Sequence, residues 1–208
     1  GAVIGREVRF FEPEQANQWE VGTKASLIKD RLSVTASYYD IKVKNKVMGN
    51  VIDATQAGEV ESKGFEVSVL GSPINGLNII AGFSHNDNKV INDAADSGYL
   101  GLRTEEAGPE NLFNFWANYT VQQGALKNFG LGFGANSASK LLTLNRSTIG
   151  TFALPGYTVF NAALSYNAEK YSAVLKVDNL TNEKYFIGWS TINPQFARSI
   201  SLGLNYKF

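Results

Sequence analysis

The chain has 208 residues, enough for one large or two small domains, with 44% hydrophobic and 18% charged residues. Lys and Arg balance Asp and Glu at 19 each and no basic run occurs, so nothing in the charge points to nucleic acid. Cysteine is absent, which excludes disulfide scaffolds and cysteine zinc sites, and no stretch approaches the roughly 20 consecutive apolar residues of a membrane helix.

The chain opens GAVIGREVRF, without an initiator Met or a basic-then-apolar leader. Targeting information is therefore expected to have been removed, or to lie elsewhere in a longer polypeptide. Period-2 alternation then marks nine candidate strands. The first runs from about Asn17 to Leu27, with Trp19, Val21, Thr23, Ala25 and Leu27 on one face. The second, Leu32 to about Val47, aligns Leu32, Val34, Ala36 and Tyr38, and its phase slips at Tyr38-Tyr39, which suggests a bulge there. Phe65, Val67 and Val69 mark the third, and Leu77, Ile79, Ala81 and Phe83 the fourth. Phe113 to Val121 and Phe129 to Ala135 give the fifth and sixth. Phe160 to Tyr166, Tyr171 to Val177 and Ser199 to Phe208 complete the set. No long segment keeps helical spacing, so the chain is all-β.

Connections alternate between short and long. Short turns fall around Lys29-Asp30-Arg31, Ser72 to Gly76, Gln123-Gly124-Ala125 and Asn167 to Lys170. Long ones fall around Met48 to Lys63, Val90 to Gly108, Lys140 to Ala153 and Ile187 to Gln195. In an antiparallel up-and-down meander, alternate connections emerge on the same side. One end therefore carries tight turns and the other long loops, the asymmetry of a transmembrane β-barrel. Greek-key crossovers of a soluble β-sandwich would usually break it.

The apolar register of the strand cores carries no Asp, Glu, Lys or Arg. The other register holds Glu20, Lys24, Glu66, Lys176, Asp178 and Lys207 among Ser, Thr, Asn and Gly, with Gly130, Gly132 and Gly134 filling it in the sixth strand. Aromatics gather at both strand ends: Phe129, Tyr166, Tyr171, Tyr206 and Phe208 near short turns, and Trp19, Phe83, Phe113 and Phe160 near long loops. Two such belts are the interfacial girdles of a membrane barrel. Bacterial single-chain barrels have an even strand number, and an unpaired strand edge is not viable in lipid. Nine strands are therefore expected to be part of a larger barrel.

Several stretches resemble the C-terminal half of TonB-dependent outer-membrane receptors, in particular the ferric-siderophore-receptor type. PEQANQWEVGTK (Pro13 to Lys24) is similar to the family's PE-x-x-x-x-x-E-x-G-x-K strand and ESKGFEVSV (Glu61 to Val69) to its GFE strand. LPGYTVFNAALSY (Leu154 to Tyr166) resembles its third-last strand. VDNLTNEKYF (Val177 to Phe186) resembles its NL-x-(D/N)-x-x-Y segment, and the chain ends on Phe208. The resemblance implies the last nine strands of a 22-stranded, plugged barrel, with residues 1–208 all barrel and with the plug, the TonB box and the other strands outside this sequence. It also implies a Gram-negative outer membrane and active transport of a ferric siderophore or similar scarce nutrient, energised through TonB. The partners implied are outer-membrane lipid, the rest of the receptor, TonB through the N-terminal region, and the barrel-assembly machinery. Phe208, with Tyr206 and Leu204, occupies the place of the family's assembly signal. There is no bond chemistry and no cofactor: the ferric siderophore is cargo. A passive porin-like or structural barrel, and a soluble β-sandwich binding module, are the competing readings.

Individual residues discriminate less. Asn118, Asn145 and Asn179 match Asn-x-Ser/Thr, but two sit in or against strands, and Asn179-Leu180-Thr181-Asn182 reads as a strand-end turn with side-chain-to-backbone bonds. His85 is the sole histidine, so neither a His-based triad nor a multi-His metal site can form; a structural or surface role is expected. Glu105-Glu106 and Asp93 with Asp96 lack EF-type spacing and read as solvated loop acids. Trp189, Phe186, Tyr99 and Phe152 are large rings on loops otherwise rich in small polar residues, suited either to capturing ligand from outside or to packing the loops.

Overall fold

A computed structural model describes residues 2–4, 7–48, 55–93, 98–189 and 191–208. Among them, nine strands form one antiparallel sheet: β1 (Gln15–Leu27), β2 (Leu32–Met48), β3 (Thr55–Gly71), β4 (Leu77–Asp93), β5 (Asn111–Thr120), β6 (Phe129–Ala138), β7 (Tyr157–Asn167), β8 (Tyr171–Asp178) and β9 (Ser199–Tyr206). Each strand pairs with its sequence neighbours, so the sheet is a meander whose edges are β1 and β9. The alternation in the sequence thus marks all nine strands. The loops it leaves between them are less bare than expected. Leu141–Arg146 pairs with Gly150–Leu154 inside the third long connection, Phe186–Ile187 pairs with Asn193–Pro194 inside the fourth, and Ala2–Ile4 pairs with Glu7–Arg9 ahead of the sheet. Residues 49–54 of the first long connection and 94–97 of the second, including Asp96, lie outside the described residues.

The bulge expected at Tyr38-Tyr39 lies elsewhere. Pairing runs unbroken from Gln15↔Lys44 to Leu27↔Leu32 and from Leu32↔Gly71 to Val43↔Val60. The register shifts between Val43 and Val47, where Asn45 takes φ 57°. Tyr39 needs no slip because it belongs to the polar face, opposite Gly64. A Cβ at Gly64 would meet the His85 carbonyl oxygen of β4 first and would lie 2.7 Å from the Tyr39 ring, so glycine makes room for both the neighbouring strand and the phenol. The displaced backbone at the bulge is occupied locally: Val47 N donates to Glu14 Oε1 at 3.1 Å, Asn45 Nδ2 to Pro13 O at 3.3 Å, and Gln56 Nε2 to Asn45 O at 2.9 Å. The PE at the head of the first strand pattern therefore clamps the bulge in the next strand.

Ring contacts, all but Tyr206–Phe208 between neighbouring strands, complete the aromatic belts. Phe129 and Tyr166 lie 4.7 Å apart between centroids, Tyr166 and Tyr171 5.9 Å, and Tyr206 and Phe208 5.3 Å, with Tyr171 in register with Tyr206. At the other end Trp19 meets Tyr38 at 5.4 Å, Phe65 meets Phe83 at 5.7 Å, and Phe133 meets Phe160 at 5.9 Å. Such pairs add stability beyond the area they cover. The apolar face between the belts is largely exposed, including Val21, Leu131, Leu164, Leu175, Ile200, Leu202 and Leu204. A face of that size and composition needs an apolar surrounding.

Candidate functional site

The three long connections, 94–110, 139–156 and 179–198, leave the same end of the sheet, and the first two of these are locked together; the remaining expected long connection, Met48 to Lys63, is shortened to 49–54 because β3 begins at Thr55. From β4, Asn88 Oδ1 accepts from both the backbone N and the hydroxyl of Thr104 at 3.0 Å, while Asn88 Nδ2 donates to Ser62 Oγ at 2.7 Å. Val90 exchanges backbone bonds with Leu102 and Gly101 at 2.9 and 2.8 Å, and Val60, Val90 and Tyr99 form a buried cluster. Arg103 donates to the carbonyls of Asn86 at 2.6 Å and Gly108 at 3.1 Å. Burial pulls its guanidinium below the ordinary value and the Glu110 and Asp87 carboxylates push it back up, so it stays a cation.

The hairpin Leu141–Leu154 docks on this loop. Asn145 N donates to Glu105 Oε1 at 2.9 Å, and Asn145 Nδ2 donates to Arg103 O at 2.8 Å. Arg146 lies 3.8 Å from Glu105 and stacks over the Tyr99 ring at 4.8 Å, and Ser147 N donates to Gly98 O at 2.8 Å. Glu105 is thus not the solvated acid expected of a loop: its side chain is 13% exposed and anchors the hairpin. Glu106 pairs with Lys46 of β2 at 2.9 Å, and Asp93 Oδ2 accepts Tyr99 N at 3.0 Å. Asn145 is buried and its amide is spent on this network, which closes it to glycosylation.

The four loop aromatics separate into two kinds. Tyr99 is 4% exposed, beneath Arg146, whereas Phe152, Phe186 and Trp189 are 51%, 44% and 51% exposed. Phe152 stands on the docked hairpin; Phe186 and Trp189 belong to the last loop. That loop is rooted by Asn179, whose Oδ1 accepts Glu183 N at 2.7 Å while its Nδ2 donates to the carbonyls of Glu183 and Phe196 at 2.8 and 3.2 Å. This is the side-chain-bonded turn expected of the Asn-Leu-Thr-Asn segment. His85 contacts Asn111 Oδ1 at 2.8 Å and the Phe65 ring at 5.6 Å, a half-buried place at the middle of β4 rather than its upper end, because the strand continues to Asp93.

On the polar face of β5, the alternation conceals a large ring. Trp116 of β5 lies across Gly132 and Gly134 of β6; a Cβ at Gly132 would come 2.6 Å from the indole, and one at Gly134 would also overlap it. The run Gly130-Leu131-Gly132-Phe133-Gly134 signals a close approach, but the identity of the approaching group is set by register, through Trp116↔Gly134.

A family model described as TonB dependent receptor-like, beta-barrel matches residues 4–180. The chain is 30% identical over 179 residues to the catecholate siderophore receptor Fiu of Escherichia coli, covering 84% of this chain and 23% of that protein. It is 23% identical over 190 residues to the ferrichrome outer membrane transporter/phage receptor of Escherichia coli, covering 88% and 24%. The solved structure of the siderophore receptor PiuA from Acinetobacter baumannii superposes with a TM-score of 0.81 at 23% identity, over 99% of this chain and 30% of that one. The chain spans about a quarter of the length of these curated relatives. Its exposed apolar face is accordingly a lipid face, its polar face looks into a lumen, and the chain belongs to the TonB-dependent receptor β-barrel family.

Proposed function

We propose that residues 1–208 are the last nine strands of a 22-stranded outer-membrane barrel, part of a receptor that imports a ferric siderophore. The remaining strands pair with the β1 and β9 edges, and a plug supplied by the same polypeptide fills the lumen. Both edges need partners, because an open strand edge in lipid leaves backbone groups unsatisfied. Phe208, with Tyr206 and Leu204, is the signal read by the barrel-assembly machinery, and the terminal strand then closes the seam.

The observation that carries the reading is the loop end. Two long connections are clamped by buried Asn88, Thr104 and Asn145, and the same end presents the exposed rings of Phe152, Phe186 and Trp189. Rigid support beneath exposed rings suits capture of a large ligand at low ordering cost. Tyr99 serves from below, holding Arg146 and through it the hairpin. TonB acts on the plug, and the cargo passes without any bond being made or broken by the protein. The ligand classes named for relatives define the test: ferrichrome, a ferric tris-catecholate and ferrioxamine B, the last named for a Salmonella typhimurium receptor 25% identical over 208 residues, offered to cells dependent on the intact receptor. Uptake of one of them, abolished without TonB, is expected. Trp189→Ala is expected to raise its Kd about threefold to tenfold, the worth of one stacking ring. No uptake of any of the three would overturn the siderophore reading, and an unchanged Kd would remove Trp189 from the site.

A further inference from the structure

The two ends of the sheet hold their cations differently. At the loop end, Lys42, Lys44, Lys46, Lys63 and Lys89 are each paired with a carboxylate. At the short-turn end stand Lys29, Arg31, Lys127, Lys170 and Lys207, against only two side-chain acids, Asp30 and Glu169. Among the described residues none of these five cations is in an ion pair. In a chain of zero net charge, the turn end is thus locally cationic.

Exposed apolar groups accompany the cations. Ile28, beside Lys29, is 52% exposed, and Leu126, beside Lys127, is 63% exposed. Ile74, 55% exposed, adjoins Asn75, whose Oδ1 accepts from the Arg31 guanidinium. Lys170 precedes Tyr171, and Lys207 lies between Tyr206 and Phe208, so these two sit directly beside the aromatic belt. Backbone bonds tie the turns into one rim. Ser72 N donates to Arg31 O at 2.7 Å, Thr120 N to Gly76 O at 2.8 Å, Asn167 N to Asn128 O at 3.0 Å and Lys207 N to Lys170 O at 2.8 Å. The first turn is also strained. Ile28, Lys29 and Asp30 take φ of 54°, 53° and 64°, the left-handed region for which a hairpin ordinarily uses Asn or Gly. A β-branched residue and a lysine are held there against backbone preference, which points to a use for the side chains themselves.

We infer that this rim is a docking collar for anionic phospholipids of the periplasmic leaflet. The cations meet headgroup phosphates, while the neighbouring aliphatic and aromatic side chains enter the acyl boundary. The inference rests on the outer-membrane barrel reading, in which short turns face the periplasm. Lysine suits the place, because its stem lies along apolar surface and carries the ammonium out to the headgroups. Lipid fits better than a protein partner: the cations recur from turn to turn along the wall rather than in one patch, and they lie next to the aromatic belt with apolar groups beside them. The paired lysines of the loop end already neutralise carboxylates within the sheet and offer no excess charge to a phosphate.

The test places the intact receptor in phosphatidylcholine vesicles and compares spin-labelled phosphatidylglycerol with spin-labelled phosphatidylcholine at the protein boundary. The unaltered receptor is expected to prefer phosphatidylglycerol about threefold to fivefold, the worth of roughly one cation at a lipid surface, and salt should screen the preference. Lys29→Gln with Lys127→Gln and Lys170→Gln should abolish most of it. Arg31 and Lys207 stay in place, because one bonds Asn75 and the other adjoins Phe208. Lys44→Gln with Glu59→Gln removes a cation and its partner from the loop end and should leave the preference unchanged. If the triple variant fails to form a heat-modifiable barrel, Lys127→Gln and Lys170→Gln decide singly, each lowering the preference part-way. A preference kept by the turn-end variants, or lost equally with the loop-end pair, overturns the collar. So does displacement of phosphatidylglycerol by inorganic phosphate beyond that by sodium chloride of equal ionic strength, which would mark a site for free phosphate. Loss of binding to isolated peptidoglycan in the turn-end variants, with lipid preference intact, would assign the cations to the cell wall and overturn it as well. Failure of the unaltered receptor to insert into vesicles at all would overturn the barrel reading itself, and the collar with it.

Discussion

The two halves of the sheet meet the membrane differently. Strands β1–β4 run 13, 17, 17 and 17 residues, while β5–β9 run only 10, 10, 11, 8 and 8. About 9–11 residues cross a bilayer, so β5–β7 match it, β8 and β9 fall just short, β1 slightly exceeds it and β2–β4 overshoot by several residues. The surplus shows in the outward register. Above Tyr38, Phe65 and Phe83 the same alternating positions become Asp40, Lys42, Lys44, Lys63, Glu61, Glu59, Asp87 and Lys89, paired across strands by Asp40–Lys63 at 3.5 Å, Lys42–Glu61 at 3.3 Å and Lys44–Glu59 at 4.0 Å. On β5–β9 the apolar register ends with the strand. Alternation therefore marks where a strand is, while the first outward charge marks where the lipid stops.

Placing one charge on each side of that boundary should break or uphold the distinction. Val67 sits between Ala36 and Phe83 in the outward register, and Glu59 lies on the same strand and face above the aromatic belt. Val67→Arg is expected to destabilise the intact receptor by roughly 2–4 kcal/mol in lipid vesicles, read by urea titration. Glu59→Arg should cost less than about 1 kcal/mol, because it disturbs only an exposed ion pair. Equal costs at the two positions would place the boundary wrongly.

The inner wall offers the next contrast. The first half accommodates its large lumen ring with one glycine, Gly64 under Tyr39, and the second half uses a row of them under Trp116. Gly132→Val is expected to cost about 1–3 kcal/mol by overpacking. Because the nearest atoms to a Cβ at Gly132 all belong to the indole, most of that cost should vanish in a Trp116→Ala background. A double-mutant cycle reads the coupling; additive costs would show that the glycine serves the strand rather than the ring.

These contrasts also explain what could be read from residues alone. Strand number, order and both aromatic belts follow from period-2 alternation, because lipid forbids charge on one face and so writes the pattern cleanly. Tyr39 was misleading because two adjacent tyrosines look like a phase slip, and only the register reveals Gly64 opposite. The true bulge at Asn45 is signalled by the fit of Pro13, Glu14 and Gln56 around it, a three-segment arrangement invisible along the chain. Glu105 reads as a solvated loop acid, and Tyr99 as either a capturing or a packing ring, since their partners, Asn145 and Arg146, lie some 40 positions on. Phe152, Phe186 and Trp189, by contrast, stand exposed at the loop end.

The loop clamp yields a smaller effect, confined to the long-strand half and its docked hairpin. Asn145→Ala removes the donor to Arg103 O and the acceptor for Thr151 Oγ1, which lies 3.1 Å away. Net hydrogen-bond losses of this kind are about 1–2 kcal/mol. Since the loop is a local unit rather than part of the membrane-embedded sheet, the loss should appear as roughly tenfold faster hydrogen exchange over 98–110 with the global transition unmoved. Exchange unaltered there would show that the Arg103 and Asn88 bonds hold the loop without the hairpin.

The smallest expected effect concerns the charged extension itself. Glu61 lies above the lipid boundary, 2.9 Å from Lys63 and 3.3 Å from Lys42. Its hydrogen bond from Lys63, supported by the one from Lys42 and opposed by burial, holds its carboxyl below the ordinary carboxylate value. A carboxylate depressed in the folded state contributes its stability above the unfolded value and loses it as the pH falls through the folded one. Acidification below the usual carboxylate range should therefore loosen β2 against β3 above Phe65, seen as falling protection at Val60 to Lys63 after correction for intrinsic exchange, with β5–β9 unaffected. Glu61→Gln should remove that pH dependence at a small fixed cost. If the short strands lose protection in the same pH window, the extension is not an independent, charge-held layer, and strand length in this barrel has some other cause.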